Sequence, residues 1–225
     1  MGREIYTALS GAEAAWRQVE FISNNLANVS TAGFRAAHVE FALDGDGGLG
    51  NRFATVGEVR FDNSDGPLVR DDVPSHLALR GDAFFSLEDG SFTRDGSFRI
   101  DPDGRLTTAQ GVGVLGESGV IQLDPSESFS VGSDGVIVGE RSGEVGQLRL
   151  STVTSPAPLG GSRWSGTGAA ATGASVVQGA LEGSNVDPLH GMAELIESSR
   201  FFESQQKVMQ ASDEMRERLN RVGGG

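Results

Sequence analysis

The chain contains no cysteine, which excludes disulfides, thiolate metal ligands and a cysteine nucleophile, and leaves the compartment unreadable from redox chemistry. It also lacks any apolar run of the 18 residues or so that a transmembrane helix needs. The first residues, MGREIYTALSGAEAAW, carry acidic side chains and no apolar stretch of the signal-peptide kind. On these grounds alone the chain reads as cytoplasmic. Basic residues are scarce as well: Lys and Arg number 18 against 31 Asp and Glu, a net charge of −13. The lack of a basic stripe to neutralise phosphates argues against nucleic acid or an anionic membrane as a partner. The negative charge reads as a solubilising surface.

What is plentiful is glycine, 33 residues, roughly twice ordinary usage. Residues 1–35 hold three of these and residues 187–225 hold four, so the excess belongs to the middle, as does most of the negative charge. At the N-terminus Ile5, Leu9, Ala12, Trp16, Val19, Ile22, Leu26 and Val29 recur at intervals of three and four. That is the stripe of a helix packing on another helix, close to a heptad seam. Gly33 stands where a left-handed cap would end it. At the C-terminus Asp187 suits an N-cap and Pro188 the first helical position. Leu189, Met192, Leu195, Ile196, Phe202, Val208 and Met209 begin an apolar face about 35 residues long. From about Thr55 to Thr154 short apolar runs alternate with the turns NSDG, EDG, RDG, PDG and SDG, which predicts an all-β unit of hairpins.

The predicted class is therefore α+β: long N- and C-terminal helices pairing as a coiled-coil-like layer, with a central all-β domain. The expected boundaries are an N-terminal helix over 1–35, a linker over 36–54, the β domain over 55–154, a flexible arm over 155–183 and a C-terminal helix over 184–225. Isolated amphipathic helices are marginal in water. Both terminal helices are thus expected to pair with each other or with other copies, and to fray in a monomer until they do. Trp16, Ile22, Leu26, Leu195, Phe202 and Met209 are the expected seam residues.

Possible chemistry is thin. GVGVLG at 111–116 fits the dinucleotide pattern G-x-G-x-x-G, but ESGVIQLDP follows it and cannot open the helix that receives a pyrophosphate. DPDG at 101–104 and DNSDG at 62–66 place carboxylates on turns, without the further ligands of a calcium loop. His38, His76 and His190 are isolated from one another, and no GxSxG elbow occurs. The reading is of a non-enzyme with no cofactor, no metal and no catalytic residue.

The terminal segments resemble the flagellar rod and hook protein family of bacteria. The likeness rests on LSGAEAAWRQVEFISNNLANVSTAGFR, with its Asn24-Asn25-Leu26-Ala27-Asn28, Thr31 and Gly33-Phe34. It rests also on GALEGSNVDPLHGMAELIESSRFFESQQKVMQASDEM, which carries Leu181-Glu182-Gly183-Ser184-Asn185-Val186. LALRGDAFFSLEDGSFTRDGSFRIDPDGRLTTAQGVGVLG at 77–116 is similar to the family's central β segment, which makes GVGVLG ordinary β sequence. The resemblance implies a structural protein of the basal body whose terminal helices form an inner tube around an axial channel. It implies export through the flagellar type III apparatus without a cleaved signal peptide, and a periplasmic rather than cytoplasmic site of work. Partners would be other copies and other rod proteins, with no membrane insertion. Two other classes share the composition, a secreted β-domain adhesin and a phage-tail-like component; neither needs these paired terminal motifs.

The asparagines of FISNNLANVSTAGFR are poor helix formers. Asn24, Asn25 and Asn28 are expected to bond to helix ends or to the loop at 29–34, within or between subunits, with Ser184 and Asn185 before the second helix at a comparable height along the tube.

Overall fold

In the computed structural model the described residues are 2–44, 53–160 and 162–223. The chain divides into two compact units, the first comprising Met1–Ala27, Ala36–Asp62 and Val186–Gly225 and the second Asn28–Arg35 and Asn63–Asn185.

The first unit is helical with one hairpin. Helix α1 spans Gly2–Ala27 and helix α2 spans Pro188–Gly223. Asp187 caps α2 as expected, its carboxylate accepting the Leu189 and His190 amides at 2.9 and 3.3 Å. Helix α1 is shorter than expected. It stops at Ala27 because Asn28 turns the chain, its carbonyl accepting the Thr31 amide at 3.1 Å. Gly33 adopts the left-handed φ of 64° in the following loop instead of capping the helix. The expected linker is an antiparallel ribbon, β1 (Ala37–Asp44) with β2 (Phe53–Phe61), bulged between Val39 and Phe41. Glu40 and Arg60 pair across it at 3.1 Å. Residues 45–52, the glycine-rich part of that linker, lie outside the described residues.

The second unit is all β, as the turn spacing predicts. Its apolar centre is made by Leu77, Leu79, Phe85, Leu87, Phe98, Leu106, Val114, Ile137 and their neighbours, with Phe85 and Phe98 edge to face at 4.9 Å. Turn chemistry holds the hairpins. Asp89, Asp101 and Asp134 each accept the amide two residues on, at 3.0, 3.0 and 3.1 Å, and Gly90, Gly104 and Gly135 take positive φ. Residues 111–116, the G-x-G-x-x-G decoy, are β bridges and the short strand Leu115–Gly116.

The expected arm is the largest departure. Residues 155–160 and 162–183 are built into the β unit: Leu150–Gly160 pairs with Arg163–Ala170, and these two strands close a small barrel with Phe84–Ser86 and Phe92–Thr93. The sequence reads as flexible because its side chains are missing, yet they are missing to make room. A Cβ on Gly168 would lie 2.6 Å from the Phe92 ring, and Trp164 and Val153 from the same hairpin are buried. Two further strands, Ser175–Gln178 and Ala180–Glu182, pair with Leu77–Arg80 and Leu68–Arg70.

Candidate functional site: a helical hairpin and a buried ion cluster

Helices α1 and α2 are antiparallel. Gly11 faces Gln205, Trp16 meets Phe202 at 5.9 Å between ring centroids, and Leu26 touches the Gly191 position. These pairs step in opposite directions along the two helices at a constant register. Among the α1 residues whose burial is described, Ala8, Ala12, Ala15 and Ile22 are buried, with Val19 and Leu26 half-buried. Over its first half this stripe keeps the expected Ala12 but takes Ala8 and Ala15 in place of the neighbouring Leu9 and Trp16. Alanine lets the packing partner of α1 come close, so the large Leu9 and Trp16 are left on the flank, 50% and 56% exposed. Of the other expected seam residues Leu195, Phe202 and Met209 are half-buried.

Helix α2 carries far more apolar surface than α1 covers. Leu189, Met192 and Ile196 lie on one flank of the seam and Phe201, Val208 and Met215 on the other, all at least half exposed. At 3.6 residues per turn the two stripes are about 130° apart, with the Phe202 face between them on the long arc. Singly exposed apolar residues need no explanation, but rows of three at helical spacing do.

The asparagines serve as local fasteners. Asn25 makes a two-way bond with Ala37, donating to its carbonyl at 2.8 Å and accepting its amide at 2.9 Å, which ties α1 to the start of β1. Its partner is thus a strand end, not the helix end or 29–34 loop that the sequence suggested. Asn28 does bond to that loop, accepting the Thr31 hydroxyl at 3.1 Å. Asn24 is exposed on α1. Asn185 donates to the Ser64 carbonyl at 3.2 Å, and its amide reaches the Phe34 carbonyl at 3.4 Å; Ser184 is buried, and Leu181 and Val186 half-buried.

Within the β unit four motifs from distant parts of the chain meet. Glu182, 1% exposed, receives Arg94 Nε at 2.6 Å, Arg35 Nη2 at 3.1 Å and the Gly66 amide at 3.0 Å. Arg94 also reaches Asp65 at 2.7 Å and the carbonyls of Gly81 and Ala83, while Arg35 lies 3.5 Å from Asp65. Two arginines thus balance two carboxylates in a setting where an unpaired charge would be costly. Burial lowers the Arg35 pKa; Glu182 opposes that shift, the like charge of Arg94 adds to it and Asp65 opposes it. Backbone joins the same knot. The Gly33 amide donates to the Glu182 carbonyl at 2.8 Å, and a side chain on Gly33 would run into the Arg94 backbone.

Glu182 stood among the sequence candidates; Arg35, Asp65 and Arg94 did not. The available signal was that TAGFR, NSDG, TRDG and LEGSN each pair a charge with a glycine, but nothing in one sequence says which charges are buried together. The carboxylates weighed for calcium are turn formers or cluster members: Asp101 accepts the Asp103 and Arg105 amides at 3.0 and 2.7 Å, and Asp65 belongs to the arginines. His76 pairs with Asp71 and His190 with Glu194, and His38 is exposed on β1. Among the described residues no group of three or more His, Asp or Glu could hold a metal, and no helix is long and apolar enough to cross a membrane.

Three family models match in chain order. The N-terminal model for flagella basal body rod proteins matches residues 5–35, the D1 domain model of flagellar hook protein FlgE/F/G matches 78–139, and the C-terminal model of flagellar basal body rod FlgEFG proteins matches 177–222. The flagellar basal-body rod protein FlgF of Escherichia coli (strain K12) is 32% identical over 99% of this chain and 98% of its own length. The chain belongs to the flagellar basal-body rod protein family. Its relatives include FlgF of Caulobacter vibrioides, 31% identical over 99% of both chains, and the rod protein FlgG of Bacillus subtilis (strain 168), 30% identical over 97% of this chain and 98% of that one. The terminal family models cover α1 with its loop and α2 with the strand before it, so three of the four converging motifs fall inside matched segments: TAGFR, TRDG and LEGSN.

Proposed function

We propose that this rod-family chain is a structural subunit of the proximal rod, packing helically with copies of itself and with other rod proteins around the axial export channel and carrying torque from motor to hook. The observation that carries this reading is the pair of uncovered apolar stripes on α2. They lie on different flanks and at different heights, so two neighbours can be engaged through unlike surfaces. Unlike, head-to-tail contacts generate open helical arrays, which a shaft requires. The antiparallel contact of α1 and α2 supports a coiled-coil-like inner layer. Export through the flagellar type III apparatus delivers the chain to the periplasmic part of the basal body.

The proximal position rests on Phe202-Glu203 followed by Gln205-Gln206-Lys207, a pattern that resembles the proximal rod protein. A distal rod member is the second reading, favoured by the full-length similarity to FlgG relatives. Leu26→Asp and Phe202→Asp test the assembly role. Each variant is expected to abolish swimming and to be missing from purified basal bodies while its β unit unfolds at the wild-type denaturant concentration. Normal swimming in both would overturn the proposal.

A further inference from the structure

We propose that the Arg35–Asp65–Arg94–Glu182 cluster is a clasp that starts the pairing of the terminal helices, so that the helical hairpin forms from its Leu26–Gly191 end outward and leaves its far ends loose. The inference stands on the fold of the single chain and not on the rod reading.

Segments far apart in sequence are brought together in the clasp: Glu182 bonds to Arg94, 88 positions away, and to the Gly66 amide, 116 positions away. Asn185 holds Ser64, 121 positions away, and its amide meets the Phe34 carbonyl. All of these bonds lie within the β unit. Yet Asn28 follows directly on the last residue of α1, and Asn185 precedes Pro188, the first residue of α2, by three positions. Once the β unit folds, the chain leading to both helices is therefore gathered at one place. Loop closure between the two termini has been completed by β-unit contacts, and helix pairing becomes a local event at high effective concentration. The first contact available is the one nearest in sequence to the clasp, Leu26 with the Gly191 position. Trp16–Phe202 and Gly11–Gln205 come later, each with less help from the clasp. Loose far ends would be the parts free to pair with other copies.

Hydrogen exchange on the full-length monomer in dilute solution tests this, with β-unit peptides as the internal control. The proposal predicts that amide protection in α1 falls from Leu26 toward Gly2, and in α2 from Gly191 toward Gly223. Glu182→Gln is expected to lower protection by about ten-fold or more in residues 11–26 and 189–205 while segment 77–87 stays protected. Because the chain has no cysteine, a Phe34→Cys, Asn185→Cys pair can replace the clasp covalently, and its oxidised form is expected to restore protection in the Glu182→Gln background. If Glu182→Gln unfolds the β unit, Asp65→Asn, which changes a carboxylate 44% exposed, is read in the same way. Helix protection unchanged by clasp variants, protection highest at the far ends, or a disulfide that fails to restore it above a folded β unit would each overturn the proposal.

Discussion

The β unit and the helical unit of this chain solve the burial problem differently. In the β unit the large apolar side chains are finished business: Leu79, Phe85, Leu87, Phe98, Leu106 and Ile137 have no exposed surface at all. In the helical unit many large apolar side chains are exposed, with Leu189 at 79% and Met215 at 60%. A folded protein tolerates scattered exposed apolar residues, but the helical unit concentrates them in rows on one element. The β unit thus buries its large apolar side chains within itself, whereas the helical unit leaves rows of them uncovered in the single chain.

That contrast can be broken from either side. Phe85→Ala removes a fully buried ring from the β centre and is expected to cost about 3–5 kcal/mol, read as an earlier urea midpoint of the β signal, while leaving exposed helix positions as reactive as before. Asn25→Ala strips the Ala37 amide and carbonyl of their side-chain partner. A loss of about 1–3 kcal/mol is expected, seen as faster hydrogen exchange at the start of β1 and the end of α1, with no change in the β unit. Asp187→Ala removes the cap of α2 and should lower helix stability by about 1 kcal/mol, detected as a smaller helical circular dichroism signal on mild heating.

The smallest effect is electrostatic. The hydrogen bond with His76, aided by the Val73 amide, holds the Asp71 carboxyl below the usual carboxylate range. A carboxylate depressed in the folded state adds stability above its unfolded value near about pH 4 and loses it as pH falls through the folded value. Asp71→Asn should therefore be slightly less stable than wild type at pH 7, and the gap should close as pH falls through the folded value. A stability gap that persists into acid would show that Asp71 acts through packing instead.

Much of the fold was legible in the sequence because periodicity and turn chemistry are local. The Asp187 cap, the Gly90, Gly104 and Gly135 turns and the two terminal helices follow from residues within a few positions of one another. What could not be read was set by distant partners. Residues 155–170 look unstructured until Phe92 is known to fill the space at Gly168. The buried face of α1 takes Ala8 and Ala15 in place of the expected Leu9 and Trp16 because close approach favours small residues, and apolar size alone does not reveal how near a neighbour comes. The ion cluster was hidden for the same reason. Arg35, Asp65 and Arg94 each look like a surface charge until the fold sets them around Glu182.

The central claim is that the exposed rows on α2 are covered when the chain assembles. With no native thiol as background, maleimide labelling of Ile196→Cys, compared between monomer and purified basal bodies, measures this directly. Val138→Cys, at a position 41% exposed on the β unit, serves as the reference. The account predicts that the Ile196→Cys thiol reacts in the monomer and is protected in basal bodies, with Val138→Cys reactive in both. Equal labelling of Ile196→Cys in monomer and basal bodies would contradict it.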